Sequence, residues 1–345
     1  MEYSYFVSGN APILYPADTC FGLLYYDDIE SLEIPKCYPY SGEWGSILST
    51  VSQMREQFPV PQKIDLIWLS VVERQFYSVE KNLPSTKMEE VLNHFGNDCF
   101  SHIVIGMAPF GGLALWMVGP HKAVLVAWMH AERFEMSFDI FMPDSTMCSL
   151  EEYCNYYISN DSRVKGNLEL NGLPPRHLFD NYMKQFTYRY LLLFEQWDDD
   201  KEVWQKNSEE ETAPEFDYIE EALFDGTHDK LHDGGLMKYH EAGKPQKVTI
   251  QWHIKKSKYT AYFWFDDEDI CSCFDRFYGA HPETKTDFII RIDAERNKYE
   301  LALYRYGIEK PRVISEQYYQ LLVFKNKFEC YRSDNYNQER GAWIW

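Results

Sequence analysis

Pro61-Gln62-Lys63-Ile64-Asp65-Leu66-Ile67-Trp68 returns later in the chain as Pro245-Gln246-Lys247-Val248-Thr249-Ile250-Gln251-Trp252. In the second copy Val248, Ile250, Trp252 and Ile254 alternate with Lys247, Thr249, Gln251, His253 and Lys255, the period-two pattern of a half-buried strand. Two further echoes follow in the same order. Leu92-Asn93-His94-Phe95-Gly96 reappears loosely in Phe274-Asp275-Arg276-Phe277-Tyr278-Gly279, and Leu113-Ala114-Leu115-Trp116-Met117-Val118-Gly119 in Leu301-Ala302-Leu303-Tyr304-Arg305-Tyr306-Gly307. The offsets are 184, 182 and 188 residues. Three ordered matches at nearly constant offset argue for a duplicated unit, with cores at 61–119 and 245–307 and with Trp68 equivalent to Trp252.

Each core reads as strand, strand, helix, strand, strand. In the second, Lys256-Ser257-Lys258 turns the first strand into Tyr259 to Phe265. Ile270, Cys273, Phe274 and Phe277 then fall at helical spacing within 267–277. Phe288 to Ile292 and Tyr299 to Tyr306 follow as a hairpin. The first core repeats this with strands at 63–70 and 75–79, a helix at 85–95, and strands at 102–107 and 113–119. Outside the cores, Trp44, Ile47, Leu48, Val51 and Met54 fall on one face of an expected helix closed by Pro59 and Pro61. Phe21 to Tyr26 and Tyr188 to Phe194 look like matching opening strands. Strands near 122–129 and 134–141, and a helix over 150–158, complete the first half.

The resulting expectation is an α+β protein of two related halves, each an antiparallel sheet with helices packed on one side. The first half spans 1–160, a joint rich in Asn, Gly and Pro spans 161–176, and the second half spans 177–345. The 345 residues suffice for two domains, and 45% hydrophobic residues can build substantial cores. The 26 Tyr and 22 Phe favour strands.

Charge narrows the partners. With 34 basic and 54 acidic residues the net charge is −20, a field that repels nucleic acid and anionic membranes and attracts basic proteins. The opening Met1-Glu2-Tyr3-Ser4-Tyr5 has neither the basic nor the apolar region of a signal peptide, and no run reaches the ~18 apolar residues of a membrane helix. Eight scattered cysteines read as reduced thiols, so a cytoplasmic protein is expected.

No catalytic set, metal site or cofactor is expected. Gly106 to Gly112 has the glycines of a phosphate loop but no following lysine, and strands flank it, so it reads as a hairpin turn. His228 and His232 would share a helical face with Asp229 or Asp233 nearby, yet no glutamate base lies between them and glycines follow. Cys271 and Cys273 are too close for the usual zinc pair.

The most suggestive stretch is 195–230, where fourteen acids face Lys201, Lys206 and Lys230. It reads as an acidic insertion. Trp197, Trp204, Phe216 and Tyr218 interleave with the acids, and aromatic anchors amid charge suit a protein interface. The partner-binding candidates are Trp197, Asp198, Asp199, Asp200, Trp204, Glu209, Glu210 and Glu211.

Leu66-Ile67-Trp68-Leu69-Ser70 with Glu73-Arg74-Gln75-Phe76-Tyr77, and Gly106-Met107-Ala108-Pro109-Phe110-Gly111-Gly112 with Leu115-Trp116, resemble a bacterial family known as domain of unknown function 2931. Ala11-Pro12 and Tyr15-Pro16 fit its opening, and the resemblance covers about 5–120. Members of that family are associated with secretion-delivered antibacterial toxins, some as immunity proteins and some as lipoproteins. The lipoprotein signal and lipobox cysteine are missing here. The resemblance therefore implies a cytosolic immunity protein that neutralises a toxin of a type VI or related secretion system. A basic toxin such as a nuclease would suit the acidic field. Two other classes stay open: an enzyme acting on a small molecule or glycan in a cleft between the halves, and a structural adaptor.

Overall fold

The computed structural model describes all residues except 1, 28–29, 37–38, 40, 51–56, 96–100, 207–213, 233–237, 294–296, 306, 308–309 and 338–345. The chain divides into two compact units, Met1–Met183 with Asp225–Thr227, and Lys184–Phe224 with His228–Trp345. Residues 161–176, read from the sequence as the joint, lie within the first unit and are largely helical.

The first unit contains β1 (Tyr5–Asn10), β2 (Ala17–Tyr25), β3 (Ser31–Glu33), β4 (Ser49–Thr50), β5 (Lys63–Ser70) and β6 (Gln75–Asn82). Helix α1 (Ser85–Phe95), β7 (Ser101–Met107), β8 (Gly112–Val118), β9 (Ala123–His130) and β10 (Glu132–Phe134) follow. An excursion of helices closes it: α2 (Phe138–Phe141), α3 (Leu150–Asn160), α4 (Ser162–Asn171) and α5 (Leu178–Tyr182). Its strands form two runs, β10-β6-β5-β2-β3 and β4-β1-β7-β8-β9, antiparallel except for the parallel pair β1–β7. Ile64, Leu66 and Trp68 point from the first run, and Val7, Ile105 and Leu115 from the second, into one core that Met88 and Leu92 of α1 close.

The second unit contains β11 (Phe186–Asp198), β12 (Val203–Lys206), β13 (Glu215–Leu223), β14 (His228–Leu231), β15 (His240–Ala242), β16 (Pro245–Ile254) and β17 (Ser257–Phe265). Then come α6 (Asp267–Tyr278), β18 (Thr286–Asp293), β19 (Lys298–Arg305), β20 (Arg312–Ile314), β21 (Tyr319–Lys325) and β22 (Phe328–Arg332). Helix α6 begins on the Asp266 side chain, which accepts the Asp269 N–H, carries three acids in its first turn and ends at Gly279 with φ +57°.

Pairing in the second unit repeats the first strand for strand. β21-β17-β16-β13-β14 matches β10-β6-β5-β2-β3, and β15-β11-β18-β19-β20 matches β4-β1-β7-β8-β9, with β12 and β22 added outside the repeat. The single parallel pair recurs as β11–β18. Trp68 opposes Tyr77 and Trp252 opposes Tyr259, in each case two residues from the hairpin end. Both tryptophans are fully buried, with ring centroids 5.6 and 5.4 Å from their tyrosines. A β-bulge faces the tryptophan in both units, at Cys20 in β2 and at Asp217 in β13.

Several expectations change. The opening strand equivalent to β11 is β1, not the Phe21–Tyr26 stretch, because β1 and β11 are the strands that run parallel to β7 and β18. The helix expected over 44–54 does not form through residue 50. Gly45 takes φ +81°, the Asn10 side chain donates to the carbonyls of Glu43 and Ser46, and Ser49–Thr50 pair with β1. Residues 51 and 54 lie outside the described residues. The strand expected near 134–141 stops at Phe134, and Phe138–Phe141 turn into a helix that sets Phe141 against Phe76 and Tyr153. No helix among the described residues is long and apolar enough to cross a membrane.

Candidate functional site

Strand β11 outruns β18. Its pairing with β18 ends at Phe194, and Glu195–Asp198 turn to β12 instead, making an edge hairpin. Trp197 and Trp204 stand directly opposite, with ring centroids 5.4 Å apart and planes at 66°. Such cross-strand aromatic pairs stabilise a hairpin by about 0.2–1 kcal/mol. The Lys298 ammonium lies 5.1 Å from the Trp197 ring centre, and the Trp197 backbone N–H donates to the Asp293 carboxylate at 2.8 Å. Both tryptophans are half-buried, and Val203 beside them is 44% exposed.

Asp198 builds the turn rather than facing outward. One carboxylate oxygen accepts the N–H groups of Asp200 and Lys201, and the other accepts Lys201 Nζ and Gln205. The Lys201 side chain holds this carboxyl below the usual range. Asp199, Asp200 and Glu202 are exposed at the tip. The structure thus brings together Trp197, Asp198, Asp199, Asp200 and Trp204, while Glu209, Glu210 and Glu211 lie outside the described residues.

Counting acids along 195–230 overstates the charge on offer. Glu195 pairs with Arg291 at 3.2 Å. Asp217 accepts Gln251 Nε2 at 2.7 Å and sits 3.0 Å from His253 Nδ1. Glu221 is buried and accepts the Tyr190 hydroxyl at 2.6 Å, and buried Asp225 accepts the N–H and hydroxyl of Thr227. These carboxylates serve the fold.

The remaining sequence candidates have structural surroundings. His228 starts strand β14, so residues four apart extend along a strand, roughly 13 Å from one another, too far to share an ion. Gly106 to Gly112 connects β7 to β8 as a hairpin, and a Cβ on Gly106 would fall 2.3 Å from the Trp116 ring. Cys271 and Cys273 are buried on α6, and burial pushes the Cys271 thiol up to about 11. Among the described residues no three His, Cys, Asp or Glu side chains group as metal ligands.

Sequence reading missed Asp18. It is 4% exposed on β2, accepts the hydroxyl of buried Tyr153 from α3, and burial raises it to about 7. An acid inside the apolar run Ala17–Tyr25 was the available signal. Buried Lys244 was also missed. Its Nζ lies 3.3 Å from Asp275 and 5.3 Å from the centre of the Phe186 ring, and burial lowers its pKa.

The quoted Glu73-Arg74-Gln75-Phe76-Tyr77 and Ala108 to Gly112 stretches meet at one corner of the first unit. Glu73 accepts the Tyr77 hydroxyl with one oxygen and the Phe110 N–H with the other, each at 2.8 Å. Phe110 takes φ +58°, and a Cβ on Gly111, itself at φ +78°, would fall 2.9 Å from the Tyr77 ring. A family model described as protein of unknown function (DUF2931) matches residues 2–171. The first unit belongs to this family. What the DUF2931 motif does here is lock two hairpins, since each oxygen of Glu73 accepts one of them. The second unit, beyond the reach of the match, has Lys255 and Lys256 at the corresponding turn. No curated protein and no solved structure matches the chain.

Proposed function

We propose that the chain is a binding protein that captures a basic protein, acting as a cytosolic immunity protein against an antibacterial secretion-system toxin such as a nuclease. The observation that carries this reading is the edge hairpin, where the Trp197–Trp204 pair packs across the strands beside exposed Asp199, Asp200 and Glu202. Rigid aromatics supply contact area at low entropic cost, and exposed carboxylates in a field of −20 speed encounter with a cationic surface. The test is association kinetics against a purified cognate toxin at two salt concentrations. Asp199→Lys, Asp200→Lys and Glu202→Lys together should slow association and flatten its salt dependence. Trp204→Ala should speed dissociation, a loss of about 2 kcal/mol. Unchanged rates in both variants would place the contact elsewhere.

A further inference from the structure

We infer that the outer side of α3 is a second docking site, one that takes a cationic side chain, arginine above all, from a basic protein segment. Helices α2–α5 are the part of the first unit that breaks the repeat. Where β10 leads into this excursion, the equivalent β21 is followed only by β22 among the described residues. Loops and insertions on a common frame are where binding concentrates. The excursion also carries Ile140 at 71% exposure, Tyr156 at 52%, Leu170 at 83% and Leu173 at 46%, four of the nine large apolar side chains most open to solvent among the described residues.

Along α3 runs a shallow depression of about 560 Å³ lined by Glu151, Glu152, Asn155, Tyr156, Ser159 and Asn160 together with Ser149. Glu151, Asn155 and Ser159 repeat at four-residue spacing, and so do Glu152, Tyr156 and Asn160, which puts two rows side by side on one helix face. The lining offers carboxylate, amide and hydroxyl oxygens around one exposed ring, and no lysine or arginine belongs to it. Glu152 is committed to the helix start, where it accepts the Cys148 N–H at 2.8 Å, so Glu151 is the carboxylate available to a ligand. The chain's own Arg74 shows the donor this wall accepts, since its guanidinium reaches Asn155 Oδ1 at 2.7 Å. A second guanidinium fits the ligand chemistry: planar enough to stack on Tyr156, forked enough to bond Glu151, and drawn by the acidic field. An isolated ammonium ion meets the ring less well.

This site shares with the proposed function only the basic character of the partner, and it lies on the other unit, so either can fail alone. The probe is a capped oligo-arginine peptide, titrated into the full-length chain by calorimetry and by amide NMR at two salt concentrations. The expected result is saturable binding, with shifts centred on 149–160 and weaker binding of an oligo-lysine peptide. Glu151→Gln with Tyr156→Ala should weaken binding about tenfold, from one lost cation–π contact and one lost ion pair. Tyr156→Phe, which keeps the ring, should retain it, and Asp199→Asn with Asp200→Asn and Glu202→Gln should leave the shifts at 149–160 in place. Shifts centred on 198–206 would support the hairpin and overturn this inference. Equal affinity in the Glu151/Tyr156 variant, or loss in Tyr156→Phe equal to that in Tyr156→Ala, would overturn it as well.

Discussion

The two units share one frame and differ in what is hung on it. In both, a buried tryptophan packs against the tyrosine opposite it in the core hairpin, facing a bulge. Around that common centre the surroundings diverge. In the first unit α2 and α3 cover the outer face of the β10-β6-β5-β2 sheet, where Leu69, Val71, Phe76, Tyr153 and Cys154 form a separate apolar cluster. The equivalent outer face in the second unit is lined by Tyr262, with Lys247 5.6 Å from its ring centre, and by Tyr218 under Lys230 at 3.8 Å. There, lysine stems and aromatic rings do the covering that helices do in the first unit. The bulge residues follow suit: Cys20 lies in the covered sheet, whereas Asp217 collects Gln251 and His253. Shared positions carry the folding problem, and the divergent ones are where binding is proposed.

The sharpest way to break the comparison is at its centre. Trp68→Ala and Trp252→Ala should each cost about 3–5 kcal/mol, as large core truncations do, when unfolding is followed in urea. Similar losses would show that the two positions are energetic as well as geometric equivalents, whereas a negligible loss at one would separate the units.

Next comes a position where the units differ in burial. Asp18 opposes Leu69, and by the same register Glu215 opposes His253, yet Asp18 is buried and Glu215 exposed. Burial raises Asp18 from 3.8 to about 7 in the folded protein. Between these values the folded state holds a proton that the unfolded state has released. Its contribution is therefore present below about pH 4 and lost as pH rises to about 7, by roughly 4 kcal/mol at 1.36 kcal/mol per pKa unit. Asp18→Asn should abolish this contribution, so that the stability difference between parent and variant shifts by about that amount from pH 4 to 8 when unfolding is followed in denaturant. Glu215→Gln should leave it in place.

A smaller effect is expected at the turn that only the first unit elaborates. Glu73→Ala strips partners from the Phe110 N–H and the Tyr77 hydroxyl, and should cost about 1–3 kcal/mol. Amide exchange at Phe110 should accelerate at the same time. Exchange there that is as slow as in the parent would mean that the hairpin tip holds its shape without the carboxylate.

Much of the frame could be read from local pattern. The alternation of Ile64, Leu66 and Trp68, and of Val248, Ile250 and Trp252, needs only side chains pointing to opposite faces of a strand. The strand-strand-helix-strand-strand order of both cores follows from such runs, and the elements occur in that order. The failures came where a distant partner decides. Trp44, Ile47 and Leu48 keep helical spacing, but Asn10 takes the carbonyls of Glu43 and Ser46, and Trp44 lies edge-on against Trp116 at 4.7 Å. Phe21–Tyr26 and Tyr188–Phe194 look alike as apolar runs, and only their neighbours in the sheets assign them to different places in the repeat.

The site was legible to the same degree. By itself the sequence determined that aromatics and acids interleave along 195–206 and that the chain is strongly acidic, because composition and spacing are properties of neighbours in the chain. Which acids remain on the surface was decided by tertiary structure. Glu195 meets Arg291, Glu221 meets Tyr190 and Asp18 meets Tyr153 across 96, 31 and 135 residues of chain. The physical reason is that a carboxylate's charge and reach depend on the dielectric and donors around it. Folding supplies those from strands and helices that no local window contains.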